Sequence, residues 1–278
     1  MNLKDDKYYS MDQFDRTLKI NFLIAFVLLI LLSSIQLFDL KINVNGFIAI
    51  NSRGNIADEK VWSFITLMGD TGILWPMLLI FSITSMKTIY AVLAAVPMGG
   101  FLSVLLKKLF DSPRPSGLLE LVDIHVIGPV LTTHSYPSGH TITIFAAISA
   151  IVLSYSIQAK LLGSIFKIGL FIFATVVGIS RIMVGAHWPL DCLAGACVGW
   201  ISGVTGIYLS RKYLLKIANQ NIDFVAVALL WVLSIWNFYR EFDYALSNLA
   251  VIVSFVISST MLFFYIIKQK KSITSFFP

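Results

Sequence analysis

The sequence contains few charged residues and few cysteines. Charged side chains make up 13% of the 278 residues, whereas an ordinary soluble domain carries roughly 25%. So little charge does not cover the surface of a water-soluble protein of this length, which excludes a disordered chain and a conventional cytosolic enzyme. The two cysteines, Cys192 and Cys197, are too few for a disulfide scaffold. They point in different directions on one helix, so we expect no bridge between them.

Long apolar runs fill the sequence instead. Hydrophobic residues make up 57% of the chain, and the mean hydropathy is +0.82. We therefore expect an all-α, polytopic membrane helix bundle. Eight runs are long enough to be membrane spans: 20–38, 71–86, 88–106, 141–158, 168–183, 190–209, 224–238 and 249–267. The second of these runs could also begin near Val61.

The predicted spans divide the chain into three parts. Residues 1–19 hold four acidic and four basic side chains and lack the layout of a cleavable signal peptide, so we interpret them as a cytoplasmic N-terminal segment. Residues 20–209 contain the first six spans and form the membrane core. Residues 210–278 add two C-terminal transmembrane helices and a basic tail.

The basic residues indicate the orientation in the membrane. The net charge is +6, which in a soluble protein could suggest nucleic acid, but in a membrane protein marks cytoplasmic loops. We therefore expect no nucleic-acid partner. Eight spans place both termini on one side, which then holds thirteen of the 21 Lys and Arg residues. Both termini are predicted to be cytoplasmic, in the cytoplasmic (inner) membrane.

Three polar clusters lie between the predicted spans. They are residues 107–115 after the third span, residues 137–140 before the fourth, and residues 180–191 between the fifth and the sixth. No span separates the first cluster from the second, and two separate the second from the third. All three clusters therefore lie at the same, non-cytoplasmic membrane surface. Charged groups beside hydrocarbon are costly, so their presence there calls for a functional explanation.

Three cations in these clusters predict a binding site for an anion. Lys107, Arg114 and Arg181 would repel one another unless an anion lay between them. The planar guanidinium of arginine matches two oxygens of a phosphate, and lysine adds a point charge. Ser138 and Gly139 begin an apolar helix, and the backbone N–H groups at a helix N-terminus bind anions. We interpret the clusters as a phosphate-binding site.

Two histidines and an aspartate supply the reactive groups. Asp191 can accept a hydrogen bond from one ring nitrogen of His187, which leaves the lone pair of the other nitrogen free to act as a nucleophile. His140 can then protonate the departing oxygen, and such a general acid contributes roughly 10²–10⁴-fold. The cations would stabilise the charge on the phosphoryl oxygens in the transition state.

Each of these residues also has an ordinary explanation by itself. Lys107 could be an interface anchor, Arg114 a loop cation, and Arg181 a side chain that snorkels to the membrane surface. His187 and Asp191 could form a structural hydrogen bond. The occurrence of all three clusters on one face, in this order and spacing, favours the functional explanation.

Other polar residues have weaker signals. Asp70 precedes the second span, where it could cap that helix or support the site. A metal site could also be imagined in the loop between the first two clusters, but the spacing there fits no recognised metal-ligand pattern, so we expect a solvated loop. Its acidic residues and histidines are Glu120, Asp123, His125 and His134.

At these clusters the sequence resembles the type 2 phosphatidic acid phosphatase family, which is related to the vanadium haloperoxidases. The family signature is a Lys, six residues and Arg-Pro, then Pro-Ser-Gly-His, then Ser-Arg, five residues, His, three residues and Asp. All eleven positions match, at Lys107, Arg114, Pro115, Pro137, Ser138, Gly139, His140, Ser180, Arg181, His187 and Asp191.

The resemblance implies a six-helix phosphatase core over residues 20–209 and a hydrolase that needs neither metal nor cofactor. It implies a phosphohistidine on His187, with Asp191 orienting the ring and His140 as acid and then base. It also implies that five residues bind the phosphate: Lys107, Arg114, Ser138, Gly139 and Arg181.

The expected substrate is a phosphorylated membrane lipid whose chains stay in the bilayer. Candidates are undecaprenyl pyrophosphate, phosphatidylglycerol phosphate, phosphatidic acid and lipid A phosphates. A phosphotransferase with the same residues would pass the group to a lipid or sugar hydroxyl instead of water. A non-enzymatic lipid-phosphate transporter is a more distant alternative. Transporters usually bind their substrate near the bilayer midplane with broken, repeated helices, whereas this sequence shows polar clusters at the membrane surface and no internal repeat. A haloperoxidase is disfavoured because those relatives are soluble.

Overall fold

The computed structural model describes residues 11–38, 40–155 and 157–274, and these residues form helices and loops without a β-strand. The all-α prediction is confirmed. Short 3₁₀ turns and a π-helical turn that continues α8 to Ile217 complete the helical structure. The helices are α1 Met11–Phe38, α2 Leu40–Asn51, α3 Glu59–Leu67, α4 Thr71–Met77, α5 Met86–Phe110, α6 Gly139–Ser154, α7 Lys160–Met183, α8 Pro189–Leu209, α9 Gln220–Trp236 and α10 Ser247–Thr274.

Six of these helices are long and apolar enough to cross a membrane: α1, α5, α7, α8, α9 and α10. They correspond to six of the eight predicted spans. The predicted span at 141–158 is α6, an apolar helix of 16 residues. At about 1.5 Å per residue it is shorter than the hydrocarbon core. Of the N-terminal segment predicted over residues 1–19, residues 1–10 lie outside the described residues, and α1 begins at Met11.

The second predicted span is two short helices rather than one. A bend of 68° separates α3 from α4, because the carboxylate of Asp70 accepts the N–H groups of Gly72 and Ile73 and starts a new helix there. Pro76 lies inside α4 and has no N–H to donate, and the chain then tightens into the 3₁₀ turn Leu78–Phe81. The predicted continuous helix over 71–86 is therefore wrong in its C-terminal part.

Helix α8 lies at the centre of the bundle, in contact with α1, α5 and α6. Gly195, Gly199 and Gly203 form one stripe along it, and the backbone of α6 lies directly against this stripe. A Cβ added at Gly199 would lie 2.6 Å from the carbonyl oxygen of Ile142, so only glycine permits this approach. The glycine stripe thus brings the start of α6 next to the start of α8.

Helix α2 fixes the start of α8 from the outer side. The amide oxygen of Asn43 accepts the N–H of Leu190 at 3.0 Å. At the other end of α2, the amide of Asn51 donates to the carbonyl oxygens of His125 and Ile182. The two asparagines therefore tie α2 to α8, to the end of α7 and to the long loop before α6. No signal in the sequence predicted this helix.

The C-terminal helices α9 and α10 pair with each other and pack on α4. The side chain of Asn237 donates to the carbonyl oxygen of Gly72, and Ser254 donates to that of Ile73. Both cysteines are free thiols, as predicted.

Candidate active site

The three polar clusters meet at one end of the bundle. Helices α5 and α7 end there, α6 and α8 begin there, and the loop over residues 111–138 covers the same end. Hydrogen bonds join the clusters directly: the backbone N–H of Ser138 donates to the carbonyl oxygen of Asp191, and the indole of Trp188 donates to that of Pro113.

His187 and Asp191 form the buried centre of the site. The ring Nδ1 of His187 lies 3.2 Å from Oδ2 of Asp191, and the two side chains are 2% and 0% exposed. The same carboxylate oxygen accepts the backbone N–H of Trp188 at 2.8 Å and the hydroxyl of Ser135 at 2.5 Å. Asp191 is therefore held by three donors and in turn holds the imidazole in one orientation.

The neighbours of the ring fix the tautomer of His187. A guanidinium can only donate hydrogen bonds, and Nη1 of Arg114 lies 3.1 Å from Nε2 of His187. Nε2 therefore carries the lone pair, and Nδ1 carries the hydrogen that is donated to Asp191. The lone pair needed for nucleophilic attack points out of the buried pair towards the cationic side chains.

Arg114 and Lys107 are held by backbone carbonyl groups around this centre. Arg114 donates from Nε to the carbonyl oxygen of Thr133 and from Nη1 to that of Ala186. Lys107 donates to the carbonyl oxygen of His134 at 2.6 Å. These partners are uncharged carbonyl groups, so none of these contacts is an ion pair.

Arg181 is buried at the end of α7, with 2% of the residue exposed. Its Nη1 donates to the hydroxyl oxygens of Thr66 and Tyr244. Its Nε is buried and has no hydrogen-bond partner. A buried unpaired donor on a charged group is costly, and an anion oxygen at this position would satisfy it.

The start of α6 supplies the third side of the site. Ser138 is its N-cap residue and is buried, and its hydroxyl accepts a hydrogen bond from Thr141. A Cβ added at Gly139 would meet nothing within 4 Å, so the backbone faces open space there. Gly139 and His140 line a cavity of about 320 Å³ between α4, α5 and α6, which Asp70 also lines.

The charges of the site act on the imidazole of His187. Burial of the ring, followed by the nearby charges of Arg114, Arg181 and Lys107, holds the pKa of His187 well below its usual range. In the free protein the ring is therefore neutral near pH 7, which is the form that a nucleophile requires.

All eight predicted site residues lie at this end of the bundle, and hydrogen bonds link Arg114 to His187 and His187 to Asp191. Their joint action in catalysis stays a prediction. The alternatives for Asp70 are both compatible with its position, because it caps α4 and lines the cavity beside His140.

Sequence reasoning missed several residues that hold the site. Ser135 and Thr66 are ordinary hydroxyl residues without a motif, and Tyr244 and Arg240 follow α9, far from the signature. Arg240 forms a bidentate ion pair with Asp70, with nitrogen–oxygen distances of 2.7 and 2.9 Å. Only the position of Arg240 between two apolar runs could have drawn attention to it.

The loop residues that could have suggested a metal are dispersed. His125 contacts Glu59 at 2.8 Å, and His134 lies 3.5 Å from Asp111. Across residues 11–38, 40–155 and 157–274, no three His, Cys, Asp or Glu side chains are arranged to hold a metal ion.

Comparison with known proteins gives consistent matches. A family model described as the PAP2 superfamily matches residues 87–214. An undecaprenyl-diphosphatase of Sulfolobus acidocaldarius is 31% identical over 179 residues, which are 61% of this chain and 75% of that protein. A lipid A 1-phosphatase of Rhizobium etli is 31% identical over 123 residues, 43% of this chain and 50% of that protein.

A solved structure has a similar fold over part of this chain. The crystal structure of Aquifex aeolicus LpxE superposes with a TM-score of 0.51 at 30% sequence identity, covering 63% of this chain and 98% of that one. Residues after 214 lie beyond the family model, and they include α9, α10 and the loop that carries Tyr244.

Proposed function

The chain belongs to the PAP2 superfamily, and from that premise we propose how its site works and on which face of the membrane it lies. The protein is an integral membrane lipid-phosphate phosphatase. The roles of individual residues, the class of lipid and the orientation are the parts of this function that we propose.

The reaction proceeds in two steps on His187. Nε2 of His187 attacks the phosphorus atom, a nitrogen–phosphorus bond forms, and the bond from phosphorus to the lipid oxygen breaks. His140 gives a proton to that oxygen as it leaves. His140 then removes a proton from water, whose oxygen attacks the phosphohistidine and releases inorganic phosphate.

The observation that carries this mechanism is the fixed tautomer of His187. Asp191 receives the Nδ1 hydrogen, and the lone pair of Nε2 faces Arg114. Arg114 would exchange its contact with Nε2 for a phosphoryl oxygen when substrate binds. The three cations Lys107, Arg114 and Arg181 supply the positive charge that stabilises the transferring group.

The cavity between α4, α5 and α6 supports a lipid substrate. Beside Gly139 and His140 it is lined by small or apolar residues of α5 and α6, including Gly99, Gly100 and Ala146. In this proposal the lipid keeps its chains among the helices, and the cavity meets the site at Gly139 and His140. The substrate class is a lipid with a terminal phosphate or pyrophosphate: undecaprenyl pyrophosphate, phosphatidylglycerol phosphate, phosphatidic acid or lipid A.

The site lies on the non-cytoplasmic face of the cytoplasmic membrane in this proposal. Basic side chains near the opposite end of the bundle include Lys167, Lys212, Lys216 and Lys268. By the distribution of positive charge, that end faces the cytoplasm.

Phosphate release from the four lipids, measured with the full chain in detergent, tests the function. We expect at least one lipid to be hydrolysed in the presence of excess chelator, and His187→Ala to lose at least about 10³-fold in kcat. Turnover that survives His187→Ala, or that disappears on chelation, would contradict the mechanism. Label recovered on an acceptor lipid instead of in free phosphate would identify a phosphotransferase.

A further inference from the structure

The loop between α9 and α10, which lies outside the matched family region, reaches back into the site. We propose that its Tyr244 is a positioning residue for Arg181, so that the C-terminal helices complete the phosphate-binding site. This inference rests on the proposed function, in which Arg181 binds the transferring phosphoryl group.

The hydrogen bonds of Arg181 determine which edge of its guanidinium is available. Nη1 carries two hydrogens, and the hydroxyl oxygens of Thr66 and Tyr244 accept them, the latter at 3.1 Å. Nε is buried without a partner. The Nε and Nη2 hydrogens on one edge of a guanidinium are parallel and match two oxygens of a phosphate. Because Thr66 and Tyr244 occupy the hydrogens of Nη1, the edge formed by Nε and Nη2 remains for the substrate.

Tyr244 is itself held in place from two directions. Its ring lies over Gly128, where an added Cβ would be 2.5 Å from a ring carbon of Tyr244, so the glycine leaves room for the aromatic ring. Four residues earlier, Arg240 pairs with both carboxylate oxygens of Asp70 at the start of α4. The loop is thus anchored to the bundle on either side of the hydroxyl.

Neither partner of Nη1 belongs to the sequence signature. Thr66 lies in the last turn of α3, and Tyr244 follows α9, while the family model matches residues 87–214. Removal of the Tyr244 hydroxyl would leave one hydrogen of a buried cation unpaired and allow the guanidinium to turn away from the two-oxygen geometry. The loss would appear in anion binding and in kcat/KM, in addition to a small loss of stability from the unpaired hydrogen.

The test uses Tyr244→Phe in the full chain, which keeps the ring and removes only the hydroxyl. We expect kcat/KM to fall about tenfold, because the free energy of one hydrogen bond to a charged group corresponds to about that factor. The inhibition constant of orthovanadate should rise by a similar factor, and the melting temperature without ligand should fall by only about 2–4 °C, which leaves the protein folded in the assay. Tyr239→Phe is the matched control, since Tyr239 is 78% exposed near the same loop, and it should behave as wild type.

A second comparison separates positioning from a merely structural role. In an Arg181→Lys background, the guanidinium edge with its two parallel N–H groups is absent. Tyr244→Phe should then change kcat/KM by less than about twofold further. If that background is too slow to assay, the orthovanadate-dependent rise in melting temperature replaces kcat/KM. If Tyr244→Phe does not yield folded protein, Tyr244→Met serves in its place.

The outcomes distinguish the inference from the function on which it rests. Wild-type kinetics and orthovanadate binding in Tyr244→Phe would overturn the role of Tyr244, as would an equal loss in the Arg181→Lys background. A wild-type protein that hydrolyses no lipid phosphate would overturn the proposed function instead. The orthovanadate-dependent shift in melting temperature would then still show whether Tyr244 sets the anion-binding geometry of Arg181.

Discussion

At the scale of single residues, the carboxylate of Asp191 organises its surroundings. Its Oδ2 accepts hydrogen bonds from Ser135, from the backbone of Trp188 and from the ring of His187. The negative charge has a further role in the proposed mechanism, because His187 becomes positively charged when it carries the phosphoryl group. A neutral amide at this position would keep the shape of the side chain but could not compensate that charge.

We therefore predict that Asp191→Asn lowers kcat by about two to four orders of magnitude, because the tautomer and the charge on the ring both lose support. KM should change little, since the phosphate-binding cations remain. The measurement is steady-state hydrolysis of the preferred lipid in detergent. Ser135→Ala is the control: it removes one donor and keeps the carboxylate, so its loss should stay below about tenfold. Asp191→Asn with more than a tenth of wild-type kcat would contradict this role.

The pH dependence of kcat/KM tests the neutral state of His187. Burial and the charges of Arg114, Arg181 and Lys107 hold the pKa of His187 below its usual range, so the free enzyme keeps its nucleophile unprotonated well into acidic pH. Lys107→Gln removes one positive charge, which raises the pKa of His187 towards its usual value. The acid limb of the kcat/KM profile should therefore move to higher pH in this variant.

Two comparisons keep that measurement specific. The same substrate is used for every variant, so that its own phosphate ionisation, with a pKa of about 6, cancels. Lys108→Gln removes an equal charge from the exposed neighbouring residue and should leave the limb unmoved. A limb that stays in place or moves to lower pH in Lys107→Gln would refute the electrostatic argument.

Among single residues, the sequence was informative wherever chemistry demands a particular side chain. Lysine, arginine, histidine and aspartate at signature spacing are recognisable because few residues can replace them. Thr66, Ser135 and Tyr244 were not recognisable, because a hydroxyl that supports another side chain can come from any loop that reaches it. Their roles depend on three-dimensional contacts that leave no pattern in the chain.

At the scale of helices, the start of α4 depends on Asp70 in two ways. Its carboxylate caps the helix and pairs with Arg240, with side-chain exposures of 15% and 33% for the two partners. A cap is worth about 1 kcal/mol, and a partly exposed ion pair contributes at most about 1 kcal/mol. The two contributions can be separated by substitution because asparagine retains the capping oxygen but not the charge.

We predict that Asp70→Asn and Arg240→Gln each lower the melting temperature in detergent by about 2–4 °C, and that Asp70→Ala lowers it further because the cap is lost as well. Thermal unfolding followed by intrinsic fluorescence measures the order. Asp123→Ala, at an exposed acidic residue of the outer loop, should leave the melting temperature unchanged. Equal values for Asp70→Asn and Asp70→Ala would show that the cap contributes nothing.

Long helices were predictable from the sequence, and short ones were not. Apolar runs of transmembrane length located α5, α7, α8 and the C-terminal pair, because the bilayer itself sets their length and composition. Helix α2 is held by Asn43 and Asn51 through contacts to distant carbonyl and N–H groups, which local composition does not encode. The break between α3 and α4 has a local cause, the Asp70 cap, but hydropathy alone averages over it.

At the scale of the whole molecule, the order of helix directions gathers the site. Helices α5 and α7 run towards it, and α6 and α8 run away from it, so the connection from α5 to α6 carries two clusters of the signature and the connection from α7 to α8 carries the third. The glycine stripe on α8 then brings α6 close enough for Ser138 to contact Asp191. In the proposed mechanism the whole reaction takes place at one membrane surface, the surface from which the phosphorylated headgroup arrives.

Labelling of single cysteines in intact cells tests that orientation. In a background with Cys192→Ala and Cys197→Ala, a cysteine replaces Val122, which is 92% exposed in the loop over the site, and in a second variant it replaces Ala218, an exposed residue at the opposite end. A membrane-impermeant maleimide should label Val122→Cys in intact cells and Ala218→Cys only after permeabilisation. The reverse pattern would place the site on the cytoplasmic side. The end of the bundle with the excess of positive charge would then lie outside the cytoplasm, contrary to the distribution expected for a membrane protein. Lipid hydrolysis by both variants, equal to that of the cysteine-free background, establishes that the labelled molecules are correctly folded.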